Sequence, residues 1–148
     1  MNGITLTVSK YMTPMPYTIA NDDSLSKASV LMKEYKIHHL PVRAGMKTVG
    51  LLSMQDLNLL ASISSVDLCA TQVEAAMARN PYFVTADTAL DLVTSHMVEH
   101  HLSSALVIQE DGNLIGIFTE SDALRALADV LQTRGRKAAD QETFLSMS

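Results

Sequence analysis

The sequence is poor in the residues that mark several common protein classes. It contains one cysteine, Cys69, no tryptophan and only 18% charged residues. A single cysteine excludes an internal disulfide and is typical of a reducing compartment, so we expect a cytoplasmic protein. Low charge combined with 47% hydrophobic residues excludes general disorder, which requires low hydrophobicity and high charge.

Excess basic charge and long apolar runs are also missing. The formal net charge is −5, whereas a nucleic-acid-binding protein usually presents a basic face, so we expect no nucleic-acid partner. No apolar stretch approaches the roughly 20 residues of a spanning helix, so we expect no membrane partner. Residues 1–5 lack the basic and apolar regions that begin a signal peptide, and secretion is not expected.

The sequence does contain an internal repeat, which is visible when the chain is shifted by 65 residues and, after a turn, by 66 residues. The matched pairs include Met12/Met77, Pro16/Pro81, Tyr17/Tyr82, Asp22/Asp87, Gly50/Gly116, Ser53/Thr119 and Asp56/Asp122. The change of offset falls in a predicted turn, where insertions are tolerated. We interpret the chain as two copies, 8–66 and 67–132, followed by a polar C-terminal tail, 133–148.

Each copy has the same predicted order of elements, β-α-β-β-α. A short extended segment precedes a helix with apolar residues at helical spacing, and Asp22 or Asp87 is expected to cap that helix. Two strands around a turn and a closing helix follow, and Asp111-Gly112 is a typical hairpin turn. The predicted strands are 17–19, 39–42 and 49–52 in the first copy, and 82–85, 105–108 and 114–118 in the second. The fold class is therefore α/β, of the α+β kind.

Three motifs in each copy carry a resemblance to a known family. They are Tyr-Met-Thr-Pro (11–14), His-His-Leu-Pro-Val (38–42) and Gly-Leu-Leu-Ser-Met-Gln-Asp (50–56), then Ala-Met-Ala-Arg (76–79), Ser-Ser-Ala-Leu-Val (103–107) and Gly-Ile-Phe-Thr-Glu-Ser-Asp (116–122). Each copy resembles a CBS domain, the module named for cystathionine β-synthase, and the pair resembles a Bateman module. The resemblance implies two repeats packed through their sheets with pseudo-two-fold symmetry, and two clefts that in the family often bind AMP, ADP, ATP or S-adenosylmethionine. It also implies a homodimer.

The Ser/Thr-x-x-Asp element of each copy has two interpretations. A helix start presents free N–H groups that suit phosphate, a hydroxyl can donate to a phosphate oxygen, and a carboxylate accepts hydrogen bonds from ribose hydroxyls. Alternatively, Ser53 and Thr119 are helix caps, and Asp56 and Asp122 are first-turn acids favoured by the helix dipole. The sequence leaves both interpretations open.

The resemblance implies that each cleft draws on both repeats. One cleft combines the acidic element of the second repeat with strand residues of the first, and the other cleft has the reverse arrangement. The implied nucleotide-binding residues are Thr119 and Asp122 with Tyr17, Thr18, Ile37, His38 and Pro41, and Ser53 and Asp56 with Phe83, Val84, Leu102 and Ser103.

Charge separates the two clefts. Residues 80–124 contain no lysine or arginine but seven acids, whereas residues 10–56 carry six bases. Because phosphate requires positive partners, we expect the cleft at Asp122, which is lined by the first repeat, to bind more tightly than the cleft at Asp56. His38 is expected either to line that cleft, where it could make binding pH-sensitive, or to pack on its strand.

A second motif, His96-Met97-Val98-Glu99-His100, matches the His-x-x-Glu-His form of some zinc peptidases. On a helix His96 and His100 share a face, but a catalytic zinc site requires a third protein ligand and the sequence offers no second motif. We therefore expect no catalytic residues, no metal site and no enzyme activity, and keep a metal-dependent hydrolase on His96, Glu99 and His100 as a remote alternative.

The resemblance thus implies a regulatory module that binds an adenosyl nucleotide and signals by contact with a regulated protein whose identity is unknown. It requires no cofactor beyond that regulatory ligand. The main alternative is a structural or dimerisation scaffold whose clefts bind no ligand.

Overall fold

Each sequence repeat folds into a strand, a helix, two strands and a second helix, as predicted. The structure is a computed structural model that describes residues 5–147, with side chains described through residue 136 and at residue 139. The elements are α1 (Val8–Tyr11), β1 (Thr13–Pro14), β2 (Ile19–Ala20), α2 (Leu25–Tyr35), β3 (His39–Ala44), β4 (Lys47–Ser53), α3 (Met54–Ala61), a 3₁₀ helix (Val73–Ala75), β5 (Phe83–Thr85), α4 (Leu90–Glu99), β6 (Ser104–Ile108), β7 (Leu114–Thr119) and α5 (Glu120–Met147).

The strands form two separate sheets, one for each repeat. The first sheet has the order β2-β3-β4 and the second has the order β1-β7-β6-β5. In each sheet a parallel pair, β2 with β3 or β5 with β6, lies next to an antiparallel hairpin, β3–β4 or β6–β7. The hairpin turns contain Gly45 and Gly112 with φ of 63° and 87°, a conformation that glycine adopts without strain. This arrangement confirms the α+β fold class.

Two hydrophobic cores lie beneath the sheets. The core of the first repeat includes Leu25, Met32, Leu40 and Leu52, and the core of the second includes Val93, Val107 and Phe118. Each core is built from the buried faces of more than one helix and the inward side chains of a sheet. The apolar spacing in the sequence predicted these helix faces because residues three and four apart share one side of a helix.

The segment that begins each repeat packs on the other repeat. Val8 and Tyr11 are buried in the core of the second repeat, and β1 pairs with β7 through Thr13↔Ile117 and Pro14↔Gly116. Reciprocally, Val73 is buried in the core of the first repeat. Leu51 and Ala78 exchange two backbone hydrogen bonds of 3.0 and 2.8 Å. This reciprocal exchange is the pattern expected of pseudo-two-fold symmetry.

The predicted helix caps are wrong. The N-cap of α2 is Ser24, whose Oγ accepts a hydrogen bond of 3.1 Å from the N–H of Lys27, whereas Asp22 lies two residues earlier. α4 begins after Ala89, which has no side-chain cap, and Asp87 instead accepts a hydrogen bond from the Thr85 hydroxyl at 2.6 Å. A polar residue near a helix start can satisfy the turn before the helix rather than the helix itself.

The closing helix of the second repeat extends well beyond residue 132, where the predicted second copy ends. α5 continues without a break through the position where we placed the start of the polar tail, and it ends at Met147. Ser148 lies outside the described residues. The boundary at residue 132 therefore stays a prediction about sequence repeats, because α5 runs through it without interruption.

Candidate functional site

The two Ser/Thr-x-x-Asp elements lie at equivalent places, where the last strand of each repeat meets its closing helix. Ser53 ends β4 and caps α3, its Oγ accepting a hydrogen bond of 3.1 Å from the N–H of Asp56. Thr119 ends β7 directly before α5. The capping interpretation is therefore confirmed for Ser53, and ligand binding at either element stays a prediction.

The carboxylate of Asp122 is buried and accepts four hydrogen bonds. Oδ2 accepts from the N–H and the hydroxyl of Thr119 at 2.9 and 3.2 Å. Oδ1 accepts from Arg125 Nη1 at 2.8 Å and from the hydroxyl of Thr13 at 3.4 Å. Its side chain is only 3% exposed. Thr13 belongs to the leading segment of the first repeat, so this site joins residues from both repeats.

Asp56 occupies the equivalent position but has a different environment. Its side chain is half-buried, and within the described residues its carboxylate has neither a hydrogen-bond partner nor an ion-pair partner. At the offsets of the repeat, Ala78 takes the place of Thr13, and Leu59 takes the place of Arg125. The two sites are thus alike in backbone and different in polar side chains.

The first residue of each closing helix is hydrogen-bonded to the residue that directly precedes β3 or β6 of the same repeat. The N–H of Met54 donates to the carbonyl of His38 at 2.8 Å, and the N–H of Glu120 donates to the carbonyl of Ser103 at 3.2 Å. A helix start leaves N–H groups without helical partners, and these carbonyls satisfy one at each junction. These bonds place His38 and Ser103 beside the helix start of their own repeat. The cross-repeat clefts that the resemblance implies, with His38 facing Asp122 and Ser103 facing Asp56, stay a prediction.

A direct contact between the two repeats lies at the same place. Nε2 of His39 is 3.0 Å from Oγ of Ser103. Burial lowers the pKa of His39, and the neighbouring His38 lowers it further, while Glu120 and Asp56 act in the opposite direction. The influence of both acids indicates that the starts of α3 and α5 approach one histidine at the junction.

The remaining predicted lining residues fall into two groups. Tyr17, Phe83 and His38 are exposed, and the Tyr17 ring stacks on that of Tyr35 with centroids 3.9 Å apart. Thr18, Ile37 and Leu102 are half-buried, whereas Pro41 and Val84 are buried. Because the Pro41 and Val84 side chains are buried and apolar, we expect these two residues to contribute mainly backbone groups to a cleft. The structure does not join Tyr17, Thr18 or Phe83 to either aspartate by a hydrogen bond within the described residues.

Sequence reasoning missed three residues of these junctions. Arg125 stands three residues after Asp122, a spacing that places both on one helix face, and this signal was available. His39 was passed over for its neighbour His38, although adjacent strand residues point to opposite faces and either could turn inward. Thr13 could not have been found, because its contact depends on the exchange of leading segments.

The His-x-x-Glu-His segment lies on α4 and forms an aromatic stack instead of a metal site. The ring centroid of His96 is 4.1 Å from that of Tyr82 and 4.2 Å from that of His100. In the part of the chain that the structure describes, no three histidine, cysteine or acidic side chains are placed to share one metal ion. The structure therefore gives the hydrolase alternative no supporting geometry.

A helix that spans a membrane must combine sufficient length with high hydropathy. None of the described helices is both long enough and apolar enough to cross a bilayer.

Comparison with known proteins identifies the repeats. The family model for the CBS domain matches residues 8–60 and residues 72–129, which together make up most of the chain. A solved structure of CBSX2 in complex with AMP is 29% identical, has a TM-score of 0.74, and covers 84% of this chain and 97% of that chain. A Vibrio cholerae structure described as an acetoin utilization protein, AcuB, is 25% identical with a TM-score of 0.77, and covers 90% of this chain and 98% of that one.

An enzyme relative contains a similar region within a longer chain. The inosine-5′-monophosphate dehydrogenase of Korarchaeum cryptofilum is 27% identical over 117 residues. That alignment covers 79% of this chain but only 23% of the enzyme. The chain thus spans about a quarter of the length of this relative.

Proposed function

The chain belongs to the CBS domain family, and on that premise we propose that it is a regulatory module that binds an adenosyl nucleotide at the junction of its two repeats. The observation that carries the proposal is the group at Asp122, where a buried carboxylate, two threonine hydroxyls and an arginine from both repeats meet at a helix start. CBSX2 is 29% identical to this chain and was solved in complex with AMP, and this likeness supports an adenosyl ligand.

The chemistry at Asp122 suits a nucleotide. A carboxylate accepts hydrogen bonds from the paired hydroxyls of a ribose, and the guanidinium and helix start suit phosphate. A ligand at this place would contact Thr13 from one repeat and Thr119 from the other. Binding would therefore change the contact between the repeats, which gives a means of signalling to a regulated partner protein through a shift between two arrangements.

The competing function is a scaffold that binds no nucleotide. It is favoured by one observation, the four hydrogen bonds that Asp122 already accepts from its own chain. A ribose would have to replace some of these donors, so the net gain from binding is reduced.

The test is a thermal-shift screen followed by calorimetry with AMP, ADP, ATP, S-adenosylmethionine and NAD. A ligand that binds only the folded state raises Tm with concentration. We expect AMP, ADP or ATP to raise Tm in this way. In calorimetry, we expect a binding isotherm that fits one site, the stronger one. If Tm and heats of mixing do not respond to any of these ligands up to millimolar concentration, the scaffold function replaces the proposal.

A further inference from the structure

The two aspartate sites differ in the sixth residue of the helix that follows. Arg125 holds this position in α5, and Leu59 holds it in α3. Both side chains are well exposed, at 63% for Arg125 and 66% for Leu59. The repeat therefore presents a cation beside one aspartate and an apolar side chain beside the other.

The ion pair with Asp122 holds Arg125 in place. One nitrogen, Nη1, donates to the carboxylate at 2.8 Å, whereas an arginine has five N–H donors. Within the described residues no other hydrogen bond of Arg125 is found, and most of the side chain is open to solvent. The guanidinium is thus anchored at one end and free to bind an anion at the other.

The local charge makes this arginine important for an anionic ligand. The second repeat has seven acids and no lysine or arginine between residues 80 and 124, and Arg125 is the first basic residue after that stretch. A phosphate near Asp122 would otherwise enter a region of negative charge. Arginine binds phosphate through paired, charge-assisted hydrogen bonds, which lysine or neutral residues do not reproduce.

We propose that Arg125 determines the ligand specificity of the Asp122 site by selecting adenosyl ligands that carry a phosphate over uncharged adenosyl ligands. The inference rests on the proposed function, since it requires that the site bind an adenosyl group. AMP and adenosine share the base and the ribose, so the difference between their affinities reports the contacts to phosphate alone. At the Asp56 site, where Leu59 stands, the same selection is absent.

The test is calorimetric titration of AMP and adenosine into the full chain and into Arg125→Gln. Glutamine removes the charge but can still donate a hydrogen bond to Asp122, which protects the fold. Arg134→Gln, an exposed arginine further along α5, is the control for the change in net charge. We expect Arg125→Gln to weaken AMP binding roughly ten- to hundredfold, as for a lost hydrogen bond to a charged group. Adenosine affinity should stay within about threefold, and Arg134→Gln should bind both ligands like the parent.

Two results overturn the inference and leave the proposed function standing: unchanged AMP affinity in Arg125→Gln, or equal losses for AMP and adenosine. The second result would show that the substitution disturbs the whole site rather than the phosphate contact. If the parent chain binds neither ligand, the proposed function fails and the inference fails with it. Circular dichroism of each variant establishes that the fold is kept, and Arg125→Lys, which restores the charge, should recover part of the preference for AMP.

Discussion

At the scale of single residues, the two aspartates show how one motif can occupy two different environments. Asp122 is a buried acceptor for groups of both repeats, whereas the half-buried Asp56 has no polar partner within the described residues. A buried carboxylate without donors would be costly, so the four donors around Asp122 are required for the fold whether or not a ligand binds. The proposed ligand site therefore uses a carboxylate that the fold also uses.

The first prediction concerns the relative importance of the two aspartates. Asp122→Ala should weaken AMP binding about five- to hundredfold, because two ribose hydrogen bonds of about 0.5–1.5 kcal/mol each would be lost. Asp56→Ala should have a smaller effect. Calorimetry on both variants measures this, with circular dichroism as the check of folding. Normal binding by Asp122→Ala together with lost binding by Asp56→Ala would assign the stronger site to the first repeat instead.

Asp122→Ala should also destabilise the chain in the absence of ligand. The substitution removes the acceptor for the N–H of Thr119 and leaves Arg125 and Thr13 without their partner, and loss of such a capping contact costs about 0.5–2 kcal/mol. The half-buried Asp56 carboxylate has no polar partner within the described residues, which predicts a smaller loss for Asp56→Ala. Denaturant unfolding of the two variants gives the comparison, and equal stability losses would contradict it.

The pKa of His39 predicts a dependence of stability on pH. Because burial lowers this pKa below its ordinary value of 6.5, the unfolded chain takes up a proton before the folded chain does. The contribution to stability is complete above pH 6.5 and is lost as the pH falls through 6.5 towards the lowered pKa of the folded state.

The measurement is the free energy of unfolding of the parent and of His39→Gln at pH 7.5 and pH 5.5. We expect the parent to lose more stability than His39→Gln over this interval. His38→Gln is the matched control. Because His38 lowers the pKa of His39 less than burial does, this variant should retain most of the pH dependence. A parent and a His39→Gln variant with the same pH dependence would show that other groups are responsible.

At the scale of elements, two glycines, Gly50 in β4 and Gly116 in β7, allow the leading segment of the other repeat to pack closely against each strand. A Cβ on Gly50 would lie 2.8 Å from the carbonyl oxygen of Ala78 and 2.5 Å from Sδ of Met77. A Cβ on Gly116 would lie 3.2 Å from the carbonyl oxygen of Thr13 and 2.5 Å from Sδ of Met12. A methionine side chain can move aside, but a backbone carbonyl in a strand pair is fixed by the hydrogen bonds of that pair.

Gly50→Ala should therefore destabilise the chain more than Gly116→Ala does. Overpacking typically costs about 1–3 kcal/mol, and Gly50→Ala should lie in the upper part of that range. Gly135→Ala is the control, because its Cβ meets no atom within 4 Å and alanine favours the helix over glycine by roughly 1 kcal/mol. Denaturant unfolding checks the order, and a Gly50→Ala variant as stable as the parent would mean that the leading segment shifts without cost.

The sequence predicted the elements better than their pairing. Apolar spacing placed the helices containing Met32 and Val93 because a helix face is a local property. The pairing of β1 with β7 joins Thr13 to Ile117 across more than a hundred residues, and no local pattern carries that information. For the same reason the sequence indicated Thr119 and Asp122 but could not supply Thr13, the third member of the group from the other repeat.

At the scale of the whole molecule, apolar side chains remain exposed on the helices of the second repeat. Val98 on α4 and Leu124, Leu127 and Leu131 on α5 are each more than half exposed. Between these helices lies a groove of about 1080 Å³. Its apolar lining includes Val98, Leu124 and Leu127, together with Leu6, Met97 and Val130. Contiguous apolar surface of this kind marks an interaction site, because isolated apolar residues are common on a monomer but grooves lined by many of them are not.

The final prediction is that this surface joins two copies of the chain. A two-fold axis would bring the same apolar patch of each copy together, which is the commonest arrangement of soluble oligomers. Light scattering should give about twice the chain mass of 16.1 kDa at micromolar concentration, and the double variant Leu124→Asp, Leu127→Asp should shift the population to monomer, because charges would be buried without partners. Met46→Asp, at an exposed position in the β3–β4 turn, is the control and should remain dimeric. A parent mass of about 16 kDa across the micromolar range would contradict this prediction.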